Sequence, residues 1–436
     1  MALHYALGLW PGLLRCNAGA RRRALVALAP SLHCLPLPAP LPTSRTALPM
    51  PAWLPLLLGF LTAIGPLSTD MYLPAFPAIE RDFGAPHGSA ELTLAAWFLG
   101  LAVGQLVQGT LGDRLGRRRP LIAGLLVYLL GTVGCALSTD IQSLAIFRCI
   151  AAFGGSASMV LPRAVVRDIA DGHAAARLMS KLMLVMGAAP ILAPSLGGLM
   201  LAFGGWRPIF WFGACYAALS ATLVWRFLPE TLAPERRLRL GPQAQLLRYL
   251  QILRDRSFTS HVAMGCANMF LMFAYVGGSA AVFVGMFRLE PATFGILFGI
   301  NAAGFILGSQ LNPPLLLRLG ADRLPKIATR VILGAAAVLA AIAFAGPTHW
   351  AMLLPPLFVC MMFSAFVMPN AAVGALSRQA AQAGSASALM GTLQFSVAGT
   401  SGILLSHFAD GTARPMAVLM LLGALGAVVA EGYRRR

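Results

Sequence analysis

The sequence predicts an all-α polytopic membrane protein, with twelve transmembrane helices arranged as two six-helix halves. Three observations lead there. Only 11% of the 436 residues are charged while 58% are hydrophobic, whereas a soluble domain carries about 25% charge. Apolar runs of spanning length, about 20 residues each, recur twelve times along the chain. Arginine collects in every second break between them.

Residues 1–49 stand apart from that pattern. They hold Arg15, Arg21, Arg22, Arg23 and Arg45, no acid, and a proline-rich run, LPLPAPLP, at 35–42. Prolines break the apolar stretch that a secretory signal needs, and no small-residue cleavage site follows. The segment is expected to be a disordered tail or not part of the functional protein, with Met50 directly preceding the first span.

Spans are expected near 52–76, 90–111, 119–138, 142–162, 180–203, 207–228, 259–287, 293–316, 326–346, 350–371, 384–407 and 413–432. The split between the third and fourth rests on Ser138, Thr139 and Asp140 alone. One set of breaks carries Arg114, Arg117 to Arg119, Arg163, Arg167, Arg177, Lys181, the seven arginines from Arg226 to Arg256, Arg318, Arg323, Lys326, Arg330, Arg378 and Arg434 to Arg436. The opposite set carries only Arg81, Arg207, Arg288 and Arg414. By the positive-inside rule both termini and the long 229–258 break lie in the cytoplasm. The net charge of +18 therefore reports topology. It forms no basic patch or RNA-binding motif, and no nucleic-acid partner is expected.

The 229–258 break divides the chain into a half at 50–228, a cytoplasmic linker, and a half at 259–436. A repeat crosses it: LAVGQLVQ at 101–108 is similar to FILGSQLN at 305–312, and Arg114-Leu115-Gly116 to Arg318-Leu319-Gly320, both offset by 204 residues. Parallel six-helix repeats suit a secondary transporter with a midplane site.

After the second span comes GTLGDRLGRRRPL, Gly109 to Leu121. Gly109 and Gly112 allow close packing of that span on a neighbour. Asp113 is placed to meet a helix N-terminus across the bundle, and Arg114, Arg117 and Arg118, around Gly116, to latch carboxylates. This loop resembles the signature of the major facilitator superfamily, GxLxDRxGRRxxL, at every fixed position. TDMYLPAFPAI at 69–79, FRCIAAFGGSASMVLPRAVVRD at 147–168, APILAPSLGG at 189–198, WRPIFWF at 206–212, LPETL at 228–232 and FGILFGINAAGFILGSQLN at 294–312 narrow the likeness. Together they resemble the bicyclomycin/chloramphenicol-resistance (Bcr/CflA-type) drug:proton antiporters, over about 52–432. The resemblance implies the major facilitator fold and proton-driven efflux.

Within APILAPSLGG, Pro190 and Pro194 each remove a helix hydrogen bond, and Gly197 with Gly198 presents a flat face for packing. The segment is similar to the superfamily's antiporter motif, GxxxGPxxGG, which is thought to seal the bundle against leak. Here Ala193 replaces the glycine before Pro194, a change between small residues.

Asp70 is the lone acid deep in the first span and Arg148 the lone base deep in the fourth. Intramembrane charges are costly and mark function by default. Each lies about six or seven residues, ~10 Å, from the expected end of its span, so the two are expected to pair, as a coupling or a purely structural ion pair. The resemblance implies that both line the transport cavity; Thr62 to Gly65 offer no second acid in the first span, so proton and drug are expected to share Asp70. Tyr72, Trp97, Phe98, Asn268, Phe273, Tyr275 and Asn301 are further candidates to line it, with Gln310, Asn370 and Gln394.

No catalytic pattern (HExxH, HxxxxD, or GxSxG at a membrane face) is present. The seven cysteines lack metal-ligand spacing, and His407 with Asp410 is too small a set for a metal. The function expected is proton-driven export of amphipathic, drug-like small molecules by a monomer in the bacterial inner membrane. A proton-coupled exporter of one metabolite, such as an amino acid or siderophore, is the alternative. No cofactor is expected, the proton gradient being the energy source.

Overall fold

The structure, a computed structural model, describes residues 53–170, 172–237, 241–379 and 383–434. The basic tail 1–49 lies outside the described residues. Every regular element among those described is helical, as a chain in lipid requires, because only a helix satisfies its own backbone groups within one segment.

Helix α1, Leu54–Phe83, is built in pieces. Two α-helical stretches, Leu54–Thr62 and Ile64–Asp70, lead through a 3-10 turn at Leu73–Ala75 into a third, Phe76–Phe83. Pro66, Pro74 and Pro77 lack the amide hydrogen a continuous helix needs. Gly84, at φ 58°, ends it seven residues beyond the expected boundary at 76. Helices α2, Ser89–Leu115, and α3, Arg118–Ala136, follow. The Asp140 carboxylate then accepts from the amides of Gln142 (2.9 Å) and Ser143 (2.8 Å), an N-cap that starts α4, Ile141–Ile169. The third and fourth spans thus divide where three polar residues predicted it.

Helices α5, Gly172–Gly204, and α6, Arg207–Phe227, complete the first set. A short connecting helix, Pro242–Arg254, leads to α7, Arg256–Met286, whose last six residues form a π-helical turn. The run Pro291–Ala345 is broken by Gly320, at φ 81°, into α8 (291–319) and α9 (321–345). Helices α10, Leu354–Leu376, α11, Ala383–His407, and α12, Arg414–Arg434, end the chain. Among the described residues ten helical stretches are long and apolar enough to cross a membrane. Counting 291–345 as two and adding α5 gives twelve. Large apolar side chains such as Leu130, Ile146, Leu317 and Val429 point outward, as lipid-facing residues do.

The repeat seen in sequence is a repeat of packing. At Gly100 and Gly104 of α2 a β-carbon would collide with the Cys149 carbonyl and the Ser156 hydroxyl of α4. At Gly304 and Gly308 of α8, 204 residues later, it would meet Phe358 and the Met362 carbonyl of α10. Gly116 and Gly320 each turn the chain with positive φ, 95° and 81°. Lipid tails are as apolar as leucine, so helices associate through such close contacts rather than through the hydrophobic effect.

Contacts between loops sort the helix ends onto two sides. On the arginine-poor side, Asp82 accepts from Trp206 (3.0 Å) and Arg207 (2.7 Å), and Arg207 reaches the Ser138 carbonyl. On the arginine-rich side, Arg117 meets Asp168, and Arg434 meets Asp322 (2.9 Å). Helices α1–α6 pack mainly on one another, as do α7–α12, and the two sets meet chiefly through α2 on α11 and α5 on α8.

Replacing Gly308 by Ala is expected to cost ~1–3 kcal/mol through overpacking, read as a lowered midpoint of thermal unfolding in detergent. At Gly334, where a β-carbon meets nothing within 4 Å, the same change is expected to be neutral or stabilising by up to about 1 kcal/mol.

Candidate functional site

Arg148 is 2% exposed and surrounded by aromatic faces. Its guanidinium carbon lies 4.5 Å from the Tyr72 ring centroid, 4.4 Å from that of Trp97 and 5.9 Å from that of Phe210. Its Nη1 donates to the Ser68 carbonyl at 2.8 Å, while Nε and Nη2 have no partner. Desolvated cation–π contacts are worth ~2 kcal/mol or more, so rings do part of what a counter-ion would do. Tyr128, hydrogen-bonded to Ser68 at 2.6 Å, helps to line a cavity of ≈ 20 Å³ beside Arg148, room for about one water.

The expected ion pair does not form: Asp70 and Arg148 make no salt bridge. The two residues are level, since Arg148 grips α1 between Ser68 and Tyr72. Those two are four apart and share a face, whereas Asp70 is two residues on, about 200° round the helix at 100° per residue. Depth was legible in sequence and azimuth was not. Asp70 is buried without a hydrogen bond among the described residues and interacts electrostatically with Tyr275 of α7.

The other cavity candidates fall into groups rather than one site. Tyr72 and Trp97 belong with Arg148, and the Tyr72 hydroxyl is hydrogen-bonded to Thr93. Tyr275 stacks on Phe298 of α8 at 5.5 Å, beside Asn301, whose Nδ2 donates to Leu297 and whose Oδ1 has no partner. Phe98 of α2 meets Phe273 of α7 at 4.2 Å and Phe395 of α11 at 6.1 Å, an aromatic seam between the two helix sets. Asn268 is 1% exposed with both amide atoms unsatisfied. Asn370 donates to Asn312, and the Gln394 amide lies where a β-carbon on Gly265 would point.

The signature loop is built around one side chain. Arg117 donates to Asp113 at 2.6 Å and to Asp168, at the end of α4, at 2.8 Å. Glu230 accepts from the Arg117 amide at 2.7 Å and from the Arg118 amide, and its carboxylate occupies the place a β-carbon on Gly116 would take. Arg118 donates to the Trp225 carbonyl, and Arg114 is exposed. Gly112 lies against Leu161 of α4, but Gly109 has room for a methyl group, Ala388 being 3.7 Å from its ideal β-carbon. The close-packing role therefore holds for Gly112 and not for Gly109. Asp113 lies beside Gly384, in the first turn of α11. For Arg117, burial opposes the charge, but hydrogen bonds from Asp168 and Asp113 outweigh it and hold its proton more tightly than usual.

Helix α5 stays helical through Pro190 and Pro194; the Pro190 side chain lies outside the described residues. Gly197 accommodates the Met71 carbonyl of α1, and a β-carbon on Gly198 would sit 2.9 Å from the Pro291 carbonyl of α8. The flat face thus fits two backbones, one from each helix set.

With that geometry in place, comparison decides the family. Residues 58–403 match the model described as Major Facilitator Superfamily. The chain belongs to the major facilitator superfamily. Members of this family are multi-pass membrane transporters, and an uncharacterized transporter of Bacillus subtilis, YdgK, is 35% identical over 85% of this chain and 92% of its own. A bicyclomycin resistance protein homolog of Haemophilus influenzae is 29% identical, over 87% and 94%. A chloramphenicol resistance protein of Pseudomonas aeruginosa is 29% identical, over 65% and 67%. These names bear out the likeness to the bicyclomycin/chloramphenicol-resistance branch. Among solved structures, the nucleoside transporter NupG superposes with a TM-score of 0.69 at 14% identity, over 88% of this chain and 99% of that one. A bacterial homologue of the lysosomal transporter Spinster, inward-facing and unoccupied, gives 0.68 at 16%, over 88% and 95%. The major facilitator fold expected from the signature loop is the fold found.

Sequence reasoning missed Asp168 and Glu230 as partners of the loop, although both lie in segments quoted for the family likeness. In this major facilitator fold they come from the ends of α4 and α6, and no local spacing ties them to Arg117.

Replacing Arg117 by Ala leaves the partly exposed carboxylates of Asp113 and Asp168 without their cation, at a cost of ~1–3 kcal/mol. Exposed Arg114, changed to Ala, is expected to alter stability by less than about 0.5 kcal/mol. Unfolding of the two purified variants beside the parent measures both.

Proposed function

We propose that this chain exports amphipathic small molecules in exchange for protons, by rocking the half at 50–228 against the half at 259–436 about a midplane cavity. The observation that carries the proposal is Asp70: a buried carboxyl without hydrogen bond or ion pair among the described residues, which interacts electrostatically with Tyr275 of α7 in the other half. A carboxyl there can take up a proton or face a cationic or polar group of a substrate as the halves move. Arg148 keeps to its own half, held by Ser68, Tyr72 and Trp97, and does not compete for Asp70. The resistance proteins named among the relatives support drug-like cargo, and the aromatic seam of Phe98, Phe273 and Phe395 suits flat apolar molecules.

The arginine-rich side is assigned to the cytoplasm by the positive-inside rule. On the arginine-poor side the two halves touch. Gly88 abuts Ala409 and Ser406, and α5 rests on α8 through Gly198 and Gly295. Reporter fusions after Arg254 and after Arg436 are expected to read cytoplasmic, and an external reading from either would reverse the assignment.

Asp70→Asn mimics a permanently protonated group. The purified variant is expected to keep binding neutral compounds of the class exported by the parent, as followed by tryptophan quenching. It is expected to lose the proton release that such binding drives in weakly buffered solution. Release equal to the parent's would move the coupling proton to another residue.

A further inference from the structure

A second cavity, of ≈ 200 Å³, lies between the two helix sets at the arginine-poor end. Glu80, His87 and Glu91 line it from one half, and Val282, Asp410 and Met416 from the other. Its carboxylates are not equivalent. Glu80 accepts from the amides of Gly88 (2.9 Å) and Ala90 (3.1 Å) at the start of α2 and faces His87 at 3.4 Å, which is how an ionised helix-capping acid is satisfied. Asp410 is exposed and accepts from the Thr412 amide and hydroxyl. Glu91 is 3% exposed, in the first turn of α2, and its Oε2 has no hydrogen-bond partner among the described residues.

The charged and titratable groups facing Glu91 are acids, hydroxyls and one histidine: Glu80 and Tyr72 from α1, His87 from the α1–α2 loop, and Asp410 from the loop after α11. Helix α7 brings no charged side chain to the cavity, and no Lys or Arg is among its lining residues. Arg414, the first residue of α12, instead lies over the Phe344 ring. An ionised Glu91 would be a buried anion beside the Glu80 anion, with one oxygen unsatisfied, and a bound proton removes that cost. The neighbouring backbone is where the halves touch: Gly88 lies against Ala409, and a β-carbon on Gly402 of α11 would sit 3.3 Å from the Glu91 carbonyl. Parting the halves at this end would widen the cavity and expose the Glu91 carboxyl, 3% exposed here, to water.

We propose that Glu91 is a second proton-binding group of this carrier, holding a proton while the arginine-poor end is closed and exchanging it with external water when that end opens. The proton passes between the carboxyl oxygen and water, so no other reactant is needed. Because the closed form binds one more proton than the open form, raising the pH shifts the balance toward open, by up to ~tenfold per pH unit. The inference rests on reading the chain as an alternating-access carrier, and it needs neither a known drug nor a role for Asp70.

The test uses the full chain in lipid nanodiscs, with native cysteines replaced by serine and spin labels on Pro86→Cys and Thr348→Cys, one on each half. Distances are measured by double electron–electron resonance from pH 5 to pH 9. Asp70→Asn is the background, which removes any response from that carboxyl. In that background the distribution is expected to move from a short to a longer distance as the pH rises. Adding Glu91→Gln, which keeps the shape and removes titration, is expected to hold the short distance at every pH, and Glu91→Asp to restore a response. A pH response in Glu91→Gln equal to that of its background overturns the proposal, as does a background that does not move at all. Asp70→Asn is assayed separately for proton release, so failure of that assignment leaves this readout intact.

Discussion

Helices surrounded by lipid gain little by hiding leucine from it, so a bundle of this kind depends on how closely backbones can approach and on which polar groups cross between helices. Most of the architecture here answers to that constraint. Gly100 and Gly104 seat α2 on α4, Gly304 and Gly308 seat α8 on α10, and Gly197 lets α5 lie on the Met71 carbonyl. The two halves use the same device at the same interval, which makes each a firm unit. Between them the contacts are fewer, and lie along α2 with α11 and α5 with α8. A carrier that rocks needs that difference.

The charges follow the same logic in opposite ways. Arg148 keeps to its own half, where one carbonyl and three aromatic faces hold it, and ties together α1, α2, α4 and α6 around it. Asp70, two residues along α1 from the carbonyl that Arg148 grips, has no hydrogen bond or ion pair among the described residues and interacts electrostatically with Tyr275 of the other half. A paired Asp70 would be tied to its own half in every state, whereas an unpaired one can change surroundings when the halves move. The same contrast separates Glu80 from Glu91 at the arginine-poor end, where one acid is saturated by amides and the next is left open.

At the arginine-rich end the loop between α2 and α3 is knotted to the ends of α4 and α6 through Arg117, Asp113, Asp168 and Glu230. Arg117, Asp113 and Asp168 lie in the first half, and Glu230 stands just beyond it, at the start of the linker. The second half repeats the turn at Gly320 without the cluster, since Leu317 and Ala321 stand 204 residues after Asp113 and Arg117. The repeat therefore preserves the backbone turn and the glycine seats, while the ionic contact at the turn is built differently in the second half, from Asp322 and Arg434.

Composition, run length and the alternation of arginine determined by themselves that this chain is a helical membrane bundle, and the loop and antiporter-like segments determined its family. These are one-dimensional properties: a span is a length, a repeat is an offset, and a break such as Thr139-Asp140 is a local cap. The depth of Asp70 beside Arg148 was legible for the same reason, being a count of residues along each helix. Their failure to pair was not, because rotation about a helix axis whose continuity is interrupted at Pro66, Pro74 and Pro77 cannot be read from that count. The partners of Arg117 and the opening beside Glu91 were also decided only in three dimensions. Asp168 and Glu230 are 51 and 113 residues from Arg117. The cavity walls likewise come from both halves of the chain, and only the folded bundle brings such distant segments within reach of one another.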